Sequence, residues 1–364
     1  MCFASILLVC ILMATGCDSK QQEYPEYFAA EGCSEFVCEV EGYLESCSFN
    51  GAVLVSVDGE PLYASGFGYA DEKTDVVCNA ADTFEIGSLS KQFTAAAILM
   101  LYEDGLLDLD DSIDTYFPQF EQGQSITVRN LLNMRSGLYD YINDAHKFFP
   151  ADYVEEYLAK ADSDSADTPD FERSFLLQYL YSAPIRNTPD TDFYYCNTDY
   201  YLLGLIIEQV SGMSYQEYLE QNIFIPCDML TANNDFMGTT TRGYYADGST
   251  LSMRTSTALG CGSVNAGVYD LYRWYTQLYS GKLINEASLS EMTTSVGGYG
   301  FGVICSPTLW YHGGSTNVFN SFSAFYPQDD LLIIVLSNSP IENTSTTYVA
   351  KNIWEIYTSI SKDE

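Results

Sequence analysis

The sequence predicts an α/β fold in which one antiparallel sheet is built from both ends of the chain and a mostly helical subdomain is inserted between them. Two apolar segments rich in β-branched residues, 51–57 and 62–67, flank Asp58-Gly59, a dipeptide typical of a tight hairpin turn. Strand-like segments return only near the end of the chain, at 310–312, 321–326 and 331–336. The strands from the two ends must therefore pair across the insertion.

Helices are predicted by apolar side chains that recur at i, i+3 and i+4. The first begins at Ser88, runs to Glu103 and is closed by Gly105. Further helical segments are predicted at 128–134, 200–210 and 344–359. These assignments give a folded domain at 45–360, with its sheet part at about 45–90 and 255–360 and its helical part at about 91–254.

The N-terminus has the pattern of an export signal. Residues 3–13 are almost entirely apolar, but this run is well short of the roughly 20 residues that a spanning helix needs. The small residues before Cys17 resemble the lipobox of bacterial lipoproteins, which implies cleavage after residue 16 and acylation of Cys17. We therefore predict a signal peptide at 1–16 and a polar tether at 17–44. The protein is expected to be exported, either as a membrane-anchored lipoprotein or as a secreted protein.

The charge of the chain excludes several kinds of partner. It contains 15 Lys and Arg against 50 Asp and Glu, a formal net charge of −35. Nucleic acids and anionic lipid headgroups are bound by clustered cations, so neither is predicted as a partner. Contact with a membrane is expected only through the lipid anchor, and the sequence leaves the oligomeric state open.

The cysteines and histidines bear on cofactors. Of the 11 cysteines, Cys2, Cys10 and Cys17 lie at the N-terminus, which leaves 11 − 3 = 8 in the remainder of the chain. In an exported protein these cysteines permit disulfides, but the sequence does not define their pairing. Because the sequence has no C-x-x-C pair and only two histidines, His146 and His312, no metal site and no cofactor are predicted.

Ser88 and Lys91 are the residues that most directly suggest chemistry. At the start of a helix, Lys91 lies one turn beyond Ser88 and on the same face. The helix N-terminus also offers free N–H groups and a positive dipole end, both suited to stabilising an oxyanion. A serine needs a base to act as a nucleophile, and a neutral lysine can be that base. The alternative role of Ser88 is that of a helix N-cap.

Other short segments follow this pair in a characteristic order. Those that match are 84–94 (FEIGSLSKQFT), 126–138 (ITVRNLLNMRSGL), 193–204 (FYYCNTDYYLLG), 222–226 (NIFIP) and 312–314 (HGG). Together they resemble the serine β-lactamase-related hydrolases, which include class C β-lactamases, D-Ala-D-Ala carboxypeptidases and related esterases. The likeness extends from about residue 47 to residue 357.

The resemblance implies a β-lactamase/transpeptidase-like fold and a role for each matching residue. Ser88 is implied as the nucleophile, with Lys91 and Tyr195 removing its proton. Asn197 is implied to hydrogen-bond Lys91 and the substrate. The remaining implied positions are His312 on the strand that borders the cleft, Gly313 and Gly314 in substrate binding, and the N–H groups of Ser88 and Ser315 as the oxyanion hole.

The substrate class stays open among related alternatives. The sequence has neither K-T-G nor S-D-N, so the class A β-lactamase pattern fails, and His312 stands where relatives carry lysine. We predict hydrolysis of an ester or amide, of the esterase or D-amino-acid peptidase type, on a small-molecule or peptide substrate. A class C-like β-lactamase and a non-catalytic binding lipoprotein of the same fold are the alternatives. Because free histidine titrates near ~6.5, anionic substrates are expected to bind better below about pH 6.

Two other nucleophile arrangements are weaker. An α/β-hydrolase would carry G-x-S-x-G, which the sequence lacks. Cys196 stands where the related hydrolases usually have serine, and a Cys-His hydrolase built on it is possible. We interpret Cys196 as a small packing residue.

Overall fold

Residues from both ends of the chain form one antiparallel sheet. The computed structural model describes residues 23–147, 149, 173–235, 237–250, 256–340 and 345–361. Within these ranges the sheet has seven strands in the order β1-β3-β2-β11-β10-β9-β8. They are β1 (Phe28–Ala29), β2 (Gly51–Val57), β3 (Glu60–Phe67), β8 (Ile304–Cys305), β9 (Trp310–Ser315), β10 (Asn320–Tyr326) and β11 (Leu331–Ser337). The predicted pairing of N-terminal with C-terminal strands is confirmed, since β2 pairs with β11.

The hairpin between β2 and β3 turns at the predicted dipeptide. Asp58 has a φ of 51° and Gly59 a φ of 73°. Two successive residues with positive φ are what the tightest right-twisted hairpin turn requires. The turn therefore sets the register of the first two strands.

Both faces of the sheet are covered. In β11 the side chains alternate, so that Leu331, Ile333 and Val335 pack with one cluster of buried residues while Leu332 and Ile334 pack with another. The helices are α1 (Ser34–Ser46), α2 (Ser90–Glu103), α3 (Val128–Leu132), α4 (Arg173–Ser182), α5 (Asn197–Ser211), α6 (Tyr215–Leu219), α7 (Val268–Tyr279), α8 (Glu286–Thr293) and α9 (Thr346–Ile360). Helices α1 and α9 contribute to the first cluster, and α2, α5 and α7 to the second. In the described part of the chain, no helix combines the length and the apolar character needed to cross a bilayer.

The predicted tether at 17–44 is wrong for residues 23–44, which belong to the folded domain. Strand β1 extends the sheet by pairing with β3, and α1 buries Phe36, Val40 and Leu44 against it. These three side chains recur every four residues, but the helix also carries glutamates at 35, 39, 41 and 45, which makes the apolar pattern easy to overlook. The domain therefore begins well before residue 45. The predicted signal peptide lies outside the described residues.

The helical part is connected to the sheet part through a short two-stranded ladder. Strand β6 (Thr83–Glu85) pairs with β7 (Asn265–Gly267). This pairing holds together the two ends of the segment that lies between them in the sequence. A further ladder joins β4 (Tyr69–Asp71) to β5 (Val76–Val77). The pairing of β6 with β7 places the turn after β6 next to the last strands of the sheet.

The helix predicted from Ser88 begins differently from expectation. Residues Gly87–Leu89 form a single 3₁₀ turn, and the α-helix proper, α2, starts at Ser90. Helix α3 also ends earlier than predicted, because Met134 has a φ of 57° that no α-helix accommodates. Ser88 therefore lies in the first turn of the combined helical segment, and its N–H has no intrahelical acceptor.

Candidate active site

Strand β9 runs directly beside the turn that carries Ser88, and two glycines allow this approach. A Cβ atom at Gly314 would lie 2.0 Å from the carbonyl oxygen of Ile86. One at Gly87 would lie 2.9 Å from the backbone nitrogen of Ser315, and Gly87 also has a φ of 52°, which favours glycine. The strand and the turn are therefore in contact through their backbones.

Ser88 and Lys91 lie side by side beneath a cleft. Lys91 is fully buried, with 0% of its surface exposed, and its Nζ is 3.0 Å from Ser88 Oγ. The same Nζ donates to Asn197 Oδ1 at 2.8 Å, as predicted, and to the carbonyl oxygen of Cys261 at 2.7 Å. Among the described residues none of its hydrogen-bond partners is a carboxylate. A neutral amine at this distance can accept the Ser88 hydroxyl proton.

Tyr195 borders the same group through its ring. Lys91 Nζ lies 4.9 Å from the centroid of the Tyr195 ring and 5.8 Å from that of Tyr200. Contacts of this kind stabilise a cation against the face of the ring. Within the described chain the Tyr195 hydroxyl makes no hydrogen bond to Ser88 or Lys91, so the observed link is the ring contact. The predicted proximity of the three side chains is nevertheless present.

The two predicted oxyanion-hole donors face the same space. Thr316 N donates to Phe319 O at 3.0 Å at the β9–β10 turn. Hydrogen-bonded and non-hydrogen-bonded pairs alternate along an antiparallel ladder, so the next pair, Ser315 opposite Asn320, is non-hydrogen-bonded. The Ser315 N–H therefore points away from β10, on the side of the turn that carries Ser88. The N–H groups of Ser315 and Ser88 are thus two neighbouring donors of the kind that can stabilise an oxyanion.

His312 lies on β9 but below the cleft instead of in its wall. Only 2% of its surface is exposed, and its Nδ1 is 2.6 Å from Gly313 O. Because a carbonyl accepts, Nδ1 carries the proton, and Nε2 accepts from the Tyr299 hydroxyl at 3.1 Å. Burial lowers the pKa of His312 to about 3. The expected protonation near pH 6 is therefore wrong.

Because His312 stays neutral, we predict that its protonation does not affect KM near pH 6. Between about pH 5 and about pH 7, the ratio of KM for an anionic ester to KM for a matched neutral ester should stay constant, because His312 remains neutral throughout. The measurement is KM for both esters across this range in wild type and in His312→Gln. A step near pH 6 in wild type that the variant lacks would contradict the assignment.

The cleft above Ser88 encloses about 390 Å³. Its wall includes the predicted substrate-binding residues Gly313 and Gly314, together with Tyr195 and Asn197. The described residues that line it carry no charged side chain. A carboxylate on a substrate would thus find no fixed cation in this part of the wall.

Sequence reasoning missed three groups that contact the predicted residues. Asp140 accepts hydrogen bonds from Asn197, Tyr299 donates to His312, and the backbone carbonyl of Cys261 accepts from Lys91. Asp140 follows the matched segment 126–138 by two residues, which is a signal that could have been used. A backbone carbonyl carries no signal of this kind, because any residue supplies one.

Cys196, the alternative nucleophile, packs in the interior. Its Sγ lies 3.7 Å from Leu138 O, and burial raises the pKa of the thiol well above its usual value. A thiol in such surroundings is unreactive. The eight cysteines after Cys17 are all free thiols, so the permitted disulfides are not formed. No cluster of three or more potential metal ligands occurs among the described residues.

The fold and this site define a serine hydrolase type of protein: an antiparallel sheet with a helical insertion, and a Ser-Lys pair at their junction. The family model described as Beta-lactamase matches residues 39–358. The chain therefore belongs to the Beta-lactamase family, and its fold is β-lactamase/transpeptidase-like.

Similar proteins agree with this assignment. Penicillin-binding protein 4* of Bacillus subtilis is 31% identical over 328 residues, which cover 81% of this chain and 69% of that protein. The putative penicillin-binding protein PbpX of Bacillus subtilis is 29% identical over 312 residues, which cover 82% of this chain and 73% of the relative. Both matches extend across most of the folded domain.

Solved structures show the same fold. The octameric penicillin-binding protein homologue from Pyrococcus abyssi has a TM-score of 0.74 and 24% identity, covering 89% of this chain and 77% of that one. The D-amino acid amidase from Ochrobactrum anthropi SV3 has a TM-score of 0.74 and 22% identity, covering 91% of this chain and 99% of the amidase.

Proposed function

We propose that the protein is a serine acyl hydrolase that forms an acyl-enzyme on Ser88 with neutral esters or amides. The observation that carries this proposal is the 3.0 Å contact between Lys91 Nζ and Ser88 Oγ at the base of the cleft. A buried amine beside a serine hydroxyl has a direct use in nucleophilic catalysis.

The proposed reaction uses these groups in order. Ser88 Oγ bonds to the substrate carbonyl carbon while its proton passes to neutral Lys91, and the N–H groups of Ser88 and Ser315 stabilise the oxyanion. The bond to the leaving group then breaks, and the leaving group takes the proton. Water attacks the ester of Ser88 with the same base and releases the acid. Tyr195 stays against Lys91 and covers it.

The neutral cleft supports an uncharged substrate. The described lining has no cation, and the net charge of −35 repels anions from the whole molecule. A similar structure is a D-amino acid amidase, and two relatives are named penicillin-binding proteins. We therefore propose an esterase or a D-amino-acid amide or peptide hydrolase, with β-lactam hydrolysis as the secondary possibility.

Substrate preference tests this part of the proposal. We expect kcat/KM for a neutral chromogenic ester to exceed that for the matched ester with a terminal carboxylate by about tenfold or more, equivalent to about 1.4 kcal/mol. A cephalosporin, which is also anionic, should rank below the neutral ester. If the cephalosporin is instead preferred tenfold, the protein is a β-lactamase.

We also propose that the chain is exported and anchored through Cys17. In a bacterial host, labelled palmitate should enter the full-length protein and not a Cys17→Ser variant, because the acyl chain is carried by that residue. Cys38→Ser is the matched control and should be labelled like wild type, since this exposed cysteine lies in the folded domain. Equal labelling of wild type and Cys17→Ser, or no labelling of either, would contradict the lipid anchor on Cys17. The remaining proposal would then be a secreted protein without that anchor.

A further inference from the structure

Asp140 lies one hydrogen bond behind the amide that contacts Lys91. Its side chain is fully buried, and its Oδ2 accepts from the backbone nitrogen of Asn197 at 2.9 Å and from Asn197 Nδ2 at 2.8 Å. An amide has one donor end and one acceptor end. Because Nδ2 is committed to Asp140, Oδ1 must face Lys91 Nζ, where it accepts at 2.8 Å.

Asp140 is itself held in one orientation. Its Oδ1 accepts from the backbone nitrogens of Ile142 and Asn143 at 2.8 and 3.0 Å, and its Oδ2 also accepts from Asn143 Nδ2 at 3.0 Å. With the two donors of Asn197, these three make five hydrogen bonds, all of them to a side chain that only accepts. The direction of the hydrogen-bond chain from Asp140 through Asn197 to Lys91 is therefore fixed.

The other ionisable groups near Asp140 have partners of their own. Asp144 is paired with Lys147 at 2.7 Å, accepts from the Tyr194 hydroxyl, and touches Asp140 only through the backbone, where it accepts from the Asp140 nitrogen at 3.3 Å. Asp199 accepts from Ser136, and burial raises its pKa well above the usual range. The neighbouring titratable groups are Asp144, Tyr194, Cys196, Cys261, Asp199 and, through Asn197, Lys91. Of these, only Lys91 is joined to Asp140 through the amide of Asn197.

We propose that Asp140 is the positioning residue of the Ser88–Lys91 pair. It orients the Asn197 amide so that Lys91 Nζ keeps an acceptor on this side and stays directed at Ser88 Oγ. It also places a carboxylate one side chain behind the amine. This inference rests on the proposed function, in which Lys91 is the base.

The test is the rate at which a fluorophosphonate modifies Ser88, measured against pH. In this reaction the Ser88 Oγ–P bond forms, the P–F bond breaks, fluoride leaves and the serine proton passes to the base. In Asp140→Asn the new amide nitrogen would face both donors of Asn197, so the Asn197 amide must turn its nitrogen toward Lys91. We expect the labelling rate to fall at least tenfold and its acid limb to move toward lower pH, because the protonated amine loses an acceptor and a nearby charge.

Two further variants separate positioning from charge and folding. Asp144→Asn removes a carboxylate from the same loop without touching Asn197, and its acid limb should match that of wild type. The double variant Asp140→Asn/Asn197→Asp exchanges the two side chains. The amide at position 140 then donates to the carboxylate at position 197, and that carboxylate accepts from Lys91. The acid limb of this double variant should lie above that of wild type, because a carboxylate then contacts Lys91, and above that limb its labelling rate should exceed that of Asp140→Asn at least tenfold.

The outcomes distinguish this inference from the proposed function. If wild type is not labelled at Ser88, the proposed function fails and Asp140 has no base to position. If wild type is labelled but Asp140→Asn has the same labelling rate and the same acid limb, only the role of Asp140 is overturned. A loss of Tm with an unchanged acid limb and no recovery in the double variant would also overturn it, because Asp140 would then only support the fold.

Discussion

Ser88→Ala should lose ester hydrolysis by about 10⁴-fold or more in kcat while the protein stays folded, as when other activated serines are removed. The only hydrogen bond that Ser88 Oγ makes within the described chain is the one from Lys91. Its loss leaves Lys91 with the acceptors of Asn197 and Cys261, so the cost in stability is about 1 kcal/mol. The measurements are kcat for a chromogenic ester and Tm for both proteins.

Ser90→Ala is the matched control for this substitution. Ser90 lies in the same helical segment but is buried, and its Oγ accepts from the backbone nitrogen of Val264 at 3.0 Å. Removing it leaves a buried donor unpaired, which costs about 1–3 kcal/mol of stability. We expect the two variants to show opposite effects: Ser88→Ala inactive and stable, Ser90→Ala active per folded molecule and less stable. Activity retained in Ser88→Ala but lost in Cys196→Ala would overturn the assignment of the nucleophile.

Gly314→Ala should damage both the site and the fold. Its Cβ would lie 2.0 Å from Ile86 O, 2.4 Å from Ser321 Oγ and 3.0 Å from Ser88 N. Strand β9 and the turn Gly87–Leu89, which carries Ser88, must then separate, and this moves the Ser315 N–H away from the Ser88 N–H. Overpacking of this kind costs roughly 1–3 kcal/mol, and a misplacement of about 1 Å can reduce the rate about 10²-fold.

The neighbouring glycine provides the comparison. A Cβ at Gly313 would meet Phe322 Cδ2 at 3.6 Å and Ser321 O at 3.7 Å, which are ordinary contacts. Gly313→Ala should therefore keep its stability to within about 1 kcal/mol. Measuring Tm and kcat/KM for the two variants checks the expected contrast. Equal behaviour would mean that close approach of β9 to the turn is not what the site requires.

The parts of the fold that were predicted are those with a strong local pattern. Strand β11 is a continuous apolar run, and its partner β2, near the other end of the chain, is a second apolar run. Asp58-Gly59 allows only a narrow range of turns. Helix α1 was missed because Glu39 and Glu41 lie between its buried residues Phe36, Val40 and Leu44 and weaken the apolar pattern. Whether a segment with such a weak pattern forms a helix depends on the side chains that pack against it in the folded chain.

The site shows the same division between local and distant information. The contact between Ser88 and Lys91 follows from helical spacing alone, and the contact with Asn197 was implied by the family resemblance. The roles of Asp140 and of the Cys261 carbonyl depend on contacts between residues distant in sequence. The pKa of His312 was predicted wrongly because burial depends on the folded environment, which the residue type does not report.

The most direct test of a Ser88 acyl-enzyme is mass spectrometry of the intermediate. A chromogenic ester with a slowly hydrolysed acyl group is mixed with the enzyme, the reaction is quenched in acid, and the digested protein is mapped. We predict one acyl group per chain, located on Ser88, present in wild type and Ser90→Ala and missing from Ser88→Ala. Turnover of the ester with the acyl group on another residue, or with the same adduct in Ser88→Ala, would contradict the proposed mechanism.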